Sequence, residues 1–358
     1  MQFNQPRFDN ARSPRWALLA DNTLSFVYLL DLESGRATDL VTTIDPFLDF
    51  VSGAALTPDG AHALVVSDRG AWRLPTAAPE AFERIADRLI FNVDLSDGGQ
   101  LAYTQSGADG FTVFAGPLAG PFEAVARDEQ ALKAAFGGED ALVLARGEAL
   151  SQLTLTTGAE QTLLSFPGGG RVPLGLPGAR ALFAYDRAPF EPVWHWVDLD
   201  AGRAAAIPSA DGAELAATAA PRHHRWVLFQ RGAIPGQDSA LTGLDAQTGQ
   251  ARPVTTGGSP LFDGRARRYV GLHHASADGR LHLATGVDSG GTTLWLVDAA
   301  EGSARALVQA PVLGASFSPD GQAVVAALEG GATLLRVNPA NGATAEIGPG
   351  LSPVWIRF

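Results

Sequence analysis

The sequence predicts an all-β protein, and three observations carry that reading. Its 41 glycines and 23 prolines are spread along all 358 residues instead of pooling in a linker, the mark of many short elements joined by tight turns. With 46% hydrophobic and 18% charged residues, the chain holds apolar surface for a large core and too little charge for disorder. A strand–turn–strand unit also recurs: GASFSPDGQAVVAA at Gly314–Ala327 matches GAALTPDGAHALVV at Gly53–Val66.

In each copy proline presets the second turn position and Asp-Gly supplies the reversal, which is hairpin chemistry between two buried strands. A third copy, Val93–Tyr103, has lost the proline, and a fourth, Leu272–Ala284, carries alanine in its place. A second unit, a strand ending in a turn, follows at Val27–Gly35, Trp196–Gly202, Leu244–Gly249, Leu296–Gly302 and Val337–Gly342. Together the units make a four-stranded meander of about forty to fifty residues, the period of a β-propeller blade. Counting by these marks gives eight blades near 1–43, 44–87, 88–127, 128–171, 172–213, 214–257, 258–310 and 311–350, in a single propeller domain spanning 1–358. The fourth to sixth blades show Phe136–Asp140, Leu176–Ala179 and Ala220–His224 in place of the Pro-Asp-Gly turn, so seven blades with one long insertion is the alternative. The apolar end Ser352–Phe358 is expected to pair with the N-terminal blade and close the ring, removing an open sheet edge. Asp59 and Asp320 are expected to be structural, each accepting backbone N–H groups within its own turn.

The Ser-Pro-Asp-Gly turn at Ser318–Gly321 and the Asp-Leu-Glu-Ser-Gly strand end at Asp31–Gly35 resemble the TolB-type, WD-repeat-like propeller family. The resemblance is to a repeat and spans nearly the whole chain, strongest at 51–66 and 312–327 and weakest at 128–257. It implies a propeller fold and a tendency to bind partners, since these propellers serve as interaction platforms and as gating domains of peptidases.

Chemistry is constrained more by what the sequence lacks. There is no cysteine, which excludes disulfides, thiolate metal sites and cysteine nucleophiles. A net charge of −12 argues against nucleic acid as a partner. Basic charge is almost all arginine, and Lys133 is the only lysine. Met1–Asn22 lacks a basic region followed by an apolar stretch, and no run is long enough to span a bilayer. A cytoplasmic monomer is expected, or a periplasmic protein if a leader has been removed, with no membrane partner. No Gly-x-Ser-x-Gly elbow is present, and Asp288–Gly291 reads as a hairpin turn. Of the seven histidines, two adjacent pairs stand out. Alignment places His223 and His224 in a hairpin turn and His273 and His274 on an innermost strand, so the two pairs are not expected to be neighbours, and neither gathers three ligands. No metal and no cofactor are expected. His273 or His274 can reach the central channel, where Asp94 and Ser316 align beside it. Trp194-His195-Trp196 reads as a strand packed on both faces.

Two function classes follow. The preferred one is a non-catalytic module binding a protein, an acidic peptide or a small anionic ligand; the alternative is a channel-mouth enzyme, lactonase- or lyase-like, acting on a small molecule. Labelling the strands of a blade a to d from the axis outward, a-to-b and c-to-d turns share one face, and b-to-c turns and blade-to-blade links share the other. The first face collects acids. On the second, Arg69, Arg146, Arg187 and Arg231 occupy similar b-to-c positions, and the links add Arg88, Arg127, Arg171, Arg265, Arg267 and Arg268. Asp68, Asp87, Asp128, Asp186 and Asp263 sit there too, so neutral surface pairs are the competing reading. The candidate ligand-binding set is therefore Arg69, Arg146, Arg187 and Arg231 as an inner ring, with His273, His274 and Asp94 at the channel.

Overall fold

The structure, a computed structural model, describes residues 15–20, 27–31, 33–34, 36–45, 48, 51–57, 59–87, 90–96, 98–130, 132–167, 169–171, 173–188, 191–215, 224–231, 240–262, 267–276, 278–318, 321–328 and 333–349. It is all-β, and its antiparallel sheets follow one another along the chain in the manner of a propeller. Among the described residues there are eight. The first has three strands, Trp16–Ala20, Val27–Asp31 and Ala37–Asp39. The second is the meander Val51–Leu56, His62–Ser67, Gly70–Pro75 and Glu83–Ala86. The a strands of the third to eighth sheets are Ile90–Leu95, Leu132–Gly138, Leu174–Leu176, Glu214–Leu215, Arg267–Ala275 and Val312–Phe317. The expected closing strand 352–358 and the turn residue Asp320 lie outside the described residues.

The recurrent turn explains why each a strand reverses into its b strand. In four sheets a hydroxyl at the end of strand a accepts the backbone N–H that opens strand b: Thr57 from His62 at 3.0 Å, Ser96 from Gln100 at 3.0 Å, Ser276 from Leu281 at 2.9 Å and Ser318 from Ala323 at 2.9 Å. Asp59 accepts the Ala61 N–H at 2.9 Å and the Thr57 hydroxyl at 2.5 Å, the structural role expected of it. Gly60 turns the chain at φ 68°, where a β-carbon would be strained. A second device closes strand c. Asp31, Asp198, Asp245 and Asp298 each accept a backbone N–H two or three residues on, at 2.9 to 3.1 Å. Three of these carboxylates also meet an arginine at the head of strand b: Arg15–Asp31 at 3.1 Å, Arg225–Asp245 at 3.2 Å and Arg280–Asp298 at 2.9 Å.

The core lies between sheets. Among the described residues, seven apolar clusters fill the seven junctions from the first sheet to the eighth. Strand b of the second sheet shows how one sequence serves two junctions: Ala63 and Val65 pack toward the first sheet, Leu64 and Val66 toward the third. Successive residues of a strand point to opposite faces, so a sheet covered on both sides reads as an unbroken apolar run.

The structure departs from the sequence expectation in several of its elements. A helix, Leu40–Ile44, follows the first sheet, capped by the Asp39 carboxylate on the N–H groups of Val41 and Thr42. A hairpin, Thr255–Thr256 with Ser259–Pro260, adds two strands to the outer edge of the seventh sheet through a parallel contact of Thr255 with Ser303. Arg267 and Arg268, read as link residues, begin strand a of the seventh sheet, where the Arg267 guanidinium lies 5.0 Å over the Trp295 ring. No helix among the described residues is long and apolar enough to cross a membrane.

Because the junctions carry the core, truncating a fully buried side chain there costs far more than truncating an exposed one. Phe183→Ala is expected to destabilise the protein by about 3–5 kcal/mol, and Val325→Ala, 37% exposed, by under about 1 kcal/mol. Urea unfolding followed by tryptophan fluorescence measures both; equal shifts of the midpoint would contradict a core held between sheets.

Candidate functional site

The a strands of adjacent sheets touch, as seen between the third and fourth, the fourth and fifth, and the seventh and eighth sheets. Their polar side chains reach from one sheet to the backbone of the next. The Asn92 amide donates to the Ala134 carbonyl and accepts from the Thr104 hydroxyl at 2.6 Å. Asp94 accepts the Phe136 N–H at 2.6 Å, and His274 Nδ1 accepts the Phe317 N–H at 3.2 Å. Asp94 and His274 hold the same position in their repeats, so two of the three channel candidates do the same work between sheets. His273 bonds to the Thr285 hydroxyl. Lys133 Nζ donates to the Gly170 carbonyl at 2.6 Å. Arg171 binds Asp186 at 2.7 and 3.0 Å and Glu214 at 2.7 and 3.1 Å, linking the fifth sheet to the sixth.

Strand direction places Arg69 in the b-to-c turn of the second sheet and Arg146, Arg187 and Arg231 at or next to the ends of the b strands of the fourth, fifth and sixth. Each is engaged locally. Arg69 meets Asp45 at 3.3 Å, Arg146 meets Glu160 at 3.2 Å and Asp128 at 3.7 Å, Arg187 meets Glu191 at 3.9 Å, and Arg231 donates to the Asp211 carbonyl. The four thus have four different sets of partners.

What gathers around Arg69 is a group the sequence did not single out. A cavity of about 320 Å³ is lined by Ile44, Asp45, Arg69, Trp72 and Arg84. Arg84, on strand d, lays its guanidinium 5.6 Å from the centre of the Trp72 ring and donates to the carbonyls of Arg69 and Asp87. Gly70 permits this approach: at φ 141° its missing β-carbon would lie 2.2 Å from the Ala86 carbonyl oxygen and 3.3 Å from Arg84 Nε. A larger cavity, about 570 Å³, is lined by Glu148, Ala149, Ser165, Phe166 and Pro167 and also lies at a b-to-c turn.

The histidines depart from the alignment. His224, ahead of strand b of the sixth sheet, packs on the a-to-b turn of the seventh, where a β-carbon on Gly279 would come within 2.6 Å of its own. His282, 2% exposed, is opposed in its charged form by His224 and His274. His224 and His274, separate in the alignment, therefore both act on His282, because the seventh sheet's turn packs onto the residues ahead of strand b of the sixth. Among the described residues no three histidine or carboxylate side chains converge as a metal ion requires. Trp194, His195 and Trp196 are all buried, with both indole N–H groups bonded to carbonyls, Ala213 at 2.7 Å and Ala246 at 2.8 Å.

No family model and no curated protein matches the sequence. Among solved structures the chain is similar to dihydro-haem d1 dehydrogenase NirN in complex with DHE, at 15% identity over 98% of this chain and 76% of that one, with a TM-score of 0.59. It is also similar to Porphyromonas gingivalis dipeptidyl peptidase 4, at 10% identity over 98% of this chain, with a TM-score of 0.57, and it spans 60% of that chain's length. TolB from Acinetobacter baumannii matches at 16% identity over 83% of this chain and 80% of that one, with a TM-score of 0.35. At such identities the first two likenesses speak for the fold alone.

Burial fixes a pH response. It pushes His273 down to about 4 and, with His224 and His274 adding to it, His282 down to about 3, while the Gly279 carbonyl and Asp278 pull the other way. Folded-state values below the unfolded histidine value of about 6.5 mean that the stabilisation is whole above that pH and is lost as pH falls toward 4. The melting temperature is expected to drop between pH 6.5 and 4.5, with a shallower slope in His282→Asn. A flat profile through this window would refute the assignment.

Proposed function

We propose that the chain is an eight-bladed β-propeller acting as a non-catalytic binding module, and that it takes a small anionic ligand or an acidic peptide on the face formed by b-to-c turns and links. Eight sheets joined through seven filled junctions support the blade count. The observation that carries the function is the cavity beside Arg69. Arg84 spends its described hydrogen bonds on backbone carbonyls and stacks on an indole, so its charge has no carboxylate partner among the described residues. Asp45 offsets Arg69, which leaves the cavity with one net positive charge. A planar guanidinium against an aromatic wall suits a carboxylate or phosphate, and about 320 Å³ suits a small ligand or one side chain of a peptide. Asp94 and His274 being taken up between sheets also favours binding over catalysis at the channel.

Titration calorimetry with citrate and with a hexaglutamate peptide tests this. Arg69→Ala/Arg84→Ala is expected to weaken binding of whichever ligand the wild type takes by roughly tenfold, and by more at low salt. Unchanged affinity in the double variant, or no binding of either probe by the wild type, would refute the reading.

A further inference from the structure

We infer that Lys133 anchors a second anion site, near the axis on the same face, which takes the carboxylate or phosphate oxygens of a small ligand where the fourth and fifth sheets meet. The inference rests on the chain being an anion-binding module but uses none of the residues around Arg69.

Lys133 is the only lysine among 26 basic residues. Where every other basic position uses the guanidinium fork, this one has a compact ammonium with three donors. It is the second residue of strand a of the fourth sheet and pairs with Ala145, one residue before Arg146, so it lies at the end of the strand shared with the b-to-c turn. It is half-buried, and burial holds its pKa below the ordinary lysine range. Of its three N–H groups, one goes to the Gly170 carbonyl, and no carboxylate among the described residues lies within ion-pair distance.

The acids that could neutralise it are already held. Asp186 is near enough to favour the charged lysine, yet it accepts two hydrogen bonds from Arg171, which also holds Glu214 with two more. The four charges sum to zero, but both negative ones are drawn to the guanidinium and the ammonium is left facing a backbone carbonyl. A half-buried cation with unspent donors gains most from an oxyanion that accepts them. Gly170 helps form the place: a β-carbon there would lie 2.9 Å from Phe166 and 3.0 Å from Phe183, so the carbonyl that fixes Lys133 is held against a wall of rings.

A single lysine gives a direct readout. Reductive methylation of the full-length protein is followed by mass spectrometry, with the α-amino group as internal reference, in sodium chloride and then in citrate or inorganic phosphate at equal ionic strength. Citrate or phosphate is expected to slow methylation of Lys133 at least fivefold while leaving the α-amino rate unchanged, and to do so equally in Arg84→Ala. Protection by citrate alone assigns a carboxylate ligand, and protection by phosphate a phosphorylated one. Protection that disappears in Arg84→Ala would place the anion at the outer cavity, overturning this inference and leaving the proposed function standing. No protection by either anion, or a Lys133 that is never methylated, would overturn it as well, and the calorimetry would then judge the wider reading separately.

Discussion

A sheet whose second strand is apolar on both faces has no stable existence by itself, and every other feature of this protein depends on that constraint. Leu64 and Val66 need the third sheet as much as Ala63 and Val65 need the first. Each junction buries aliphatic and aromatic side chains at roughly 25 cal/mol per Å² of apolar area removed from water. Stacking sheets in series meets the need at every junction and leaves the turns on two opposite rims, where charge is free to specialise.

The same stacking brings the a strands together and raises a second problem, since short strands crowded near an axis present polar backbone toward one another. The protein answers it with side chains that reach one sheet ahead: Asn92 and Asp94 into the fourth sheet, Lys133 into the fifth, Arg171 into the sixth and His274 into the eighth. A buried polar group left without a partner costs about 1–3 kcal/mol, so these bonds have structural value whatever else the residues do.

Much of this was legible in the sequence. The hydroxyl–Asp–Gly turns, the apolar b strands and the spacing of strand-ending aspartates located the sheets to within a few residues, even where the fourth to sixth repeats had lost the proline. What stayed hidden depends on contacts far apart in the chain. The hairpin at Thr255–Pro260 consists of two-residue strands that exist because Ser303 is beside them. The helix Leu40–Ile44 is written in valine and threonine, residues that favour strands, and only the capping Asp39 betrays it. At the sites, the position of Arg69 at a turn could be read, whereas its company of Arg84 and Trp72 could not. The identity of Lys133 as a solitary lysine was plain, but its neighbour Gly170 is set by the packing of successive sheets. His224 and His282 show the same limit, since repeat alignment locates each residue within its own sheet and is silent on how a turn leans across a junction.

The hydroxyl-closed turns have a consequence for how such a chain is made. In each, the partners that reverse the strand lie four or five residues apart, so a hairpin can close before any distant part of the chain arrives. The next contacts needed are those with the adjoining hairpin, only some forty residues along. Assembly can therefore advance from neighbour to neighbour, at low loop-closure cost for a β protein of this size. It also means that a gene encoding one such unit could be copied in tandem and each copy would arrive with its turn, its two apolar faces and its onward-reaching polar arm already matched to the copy beside it.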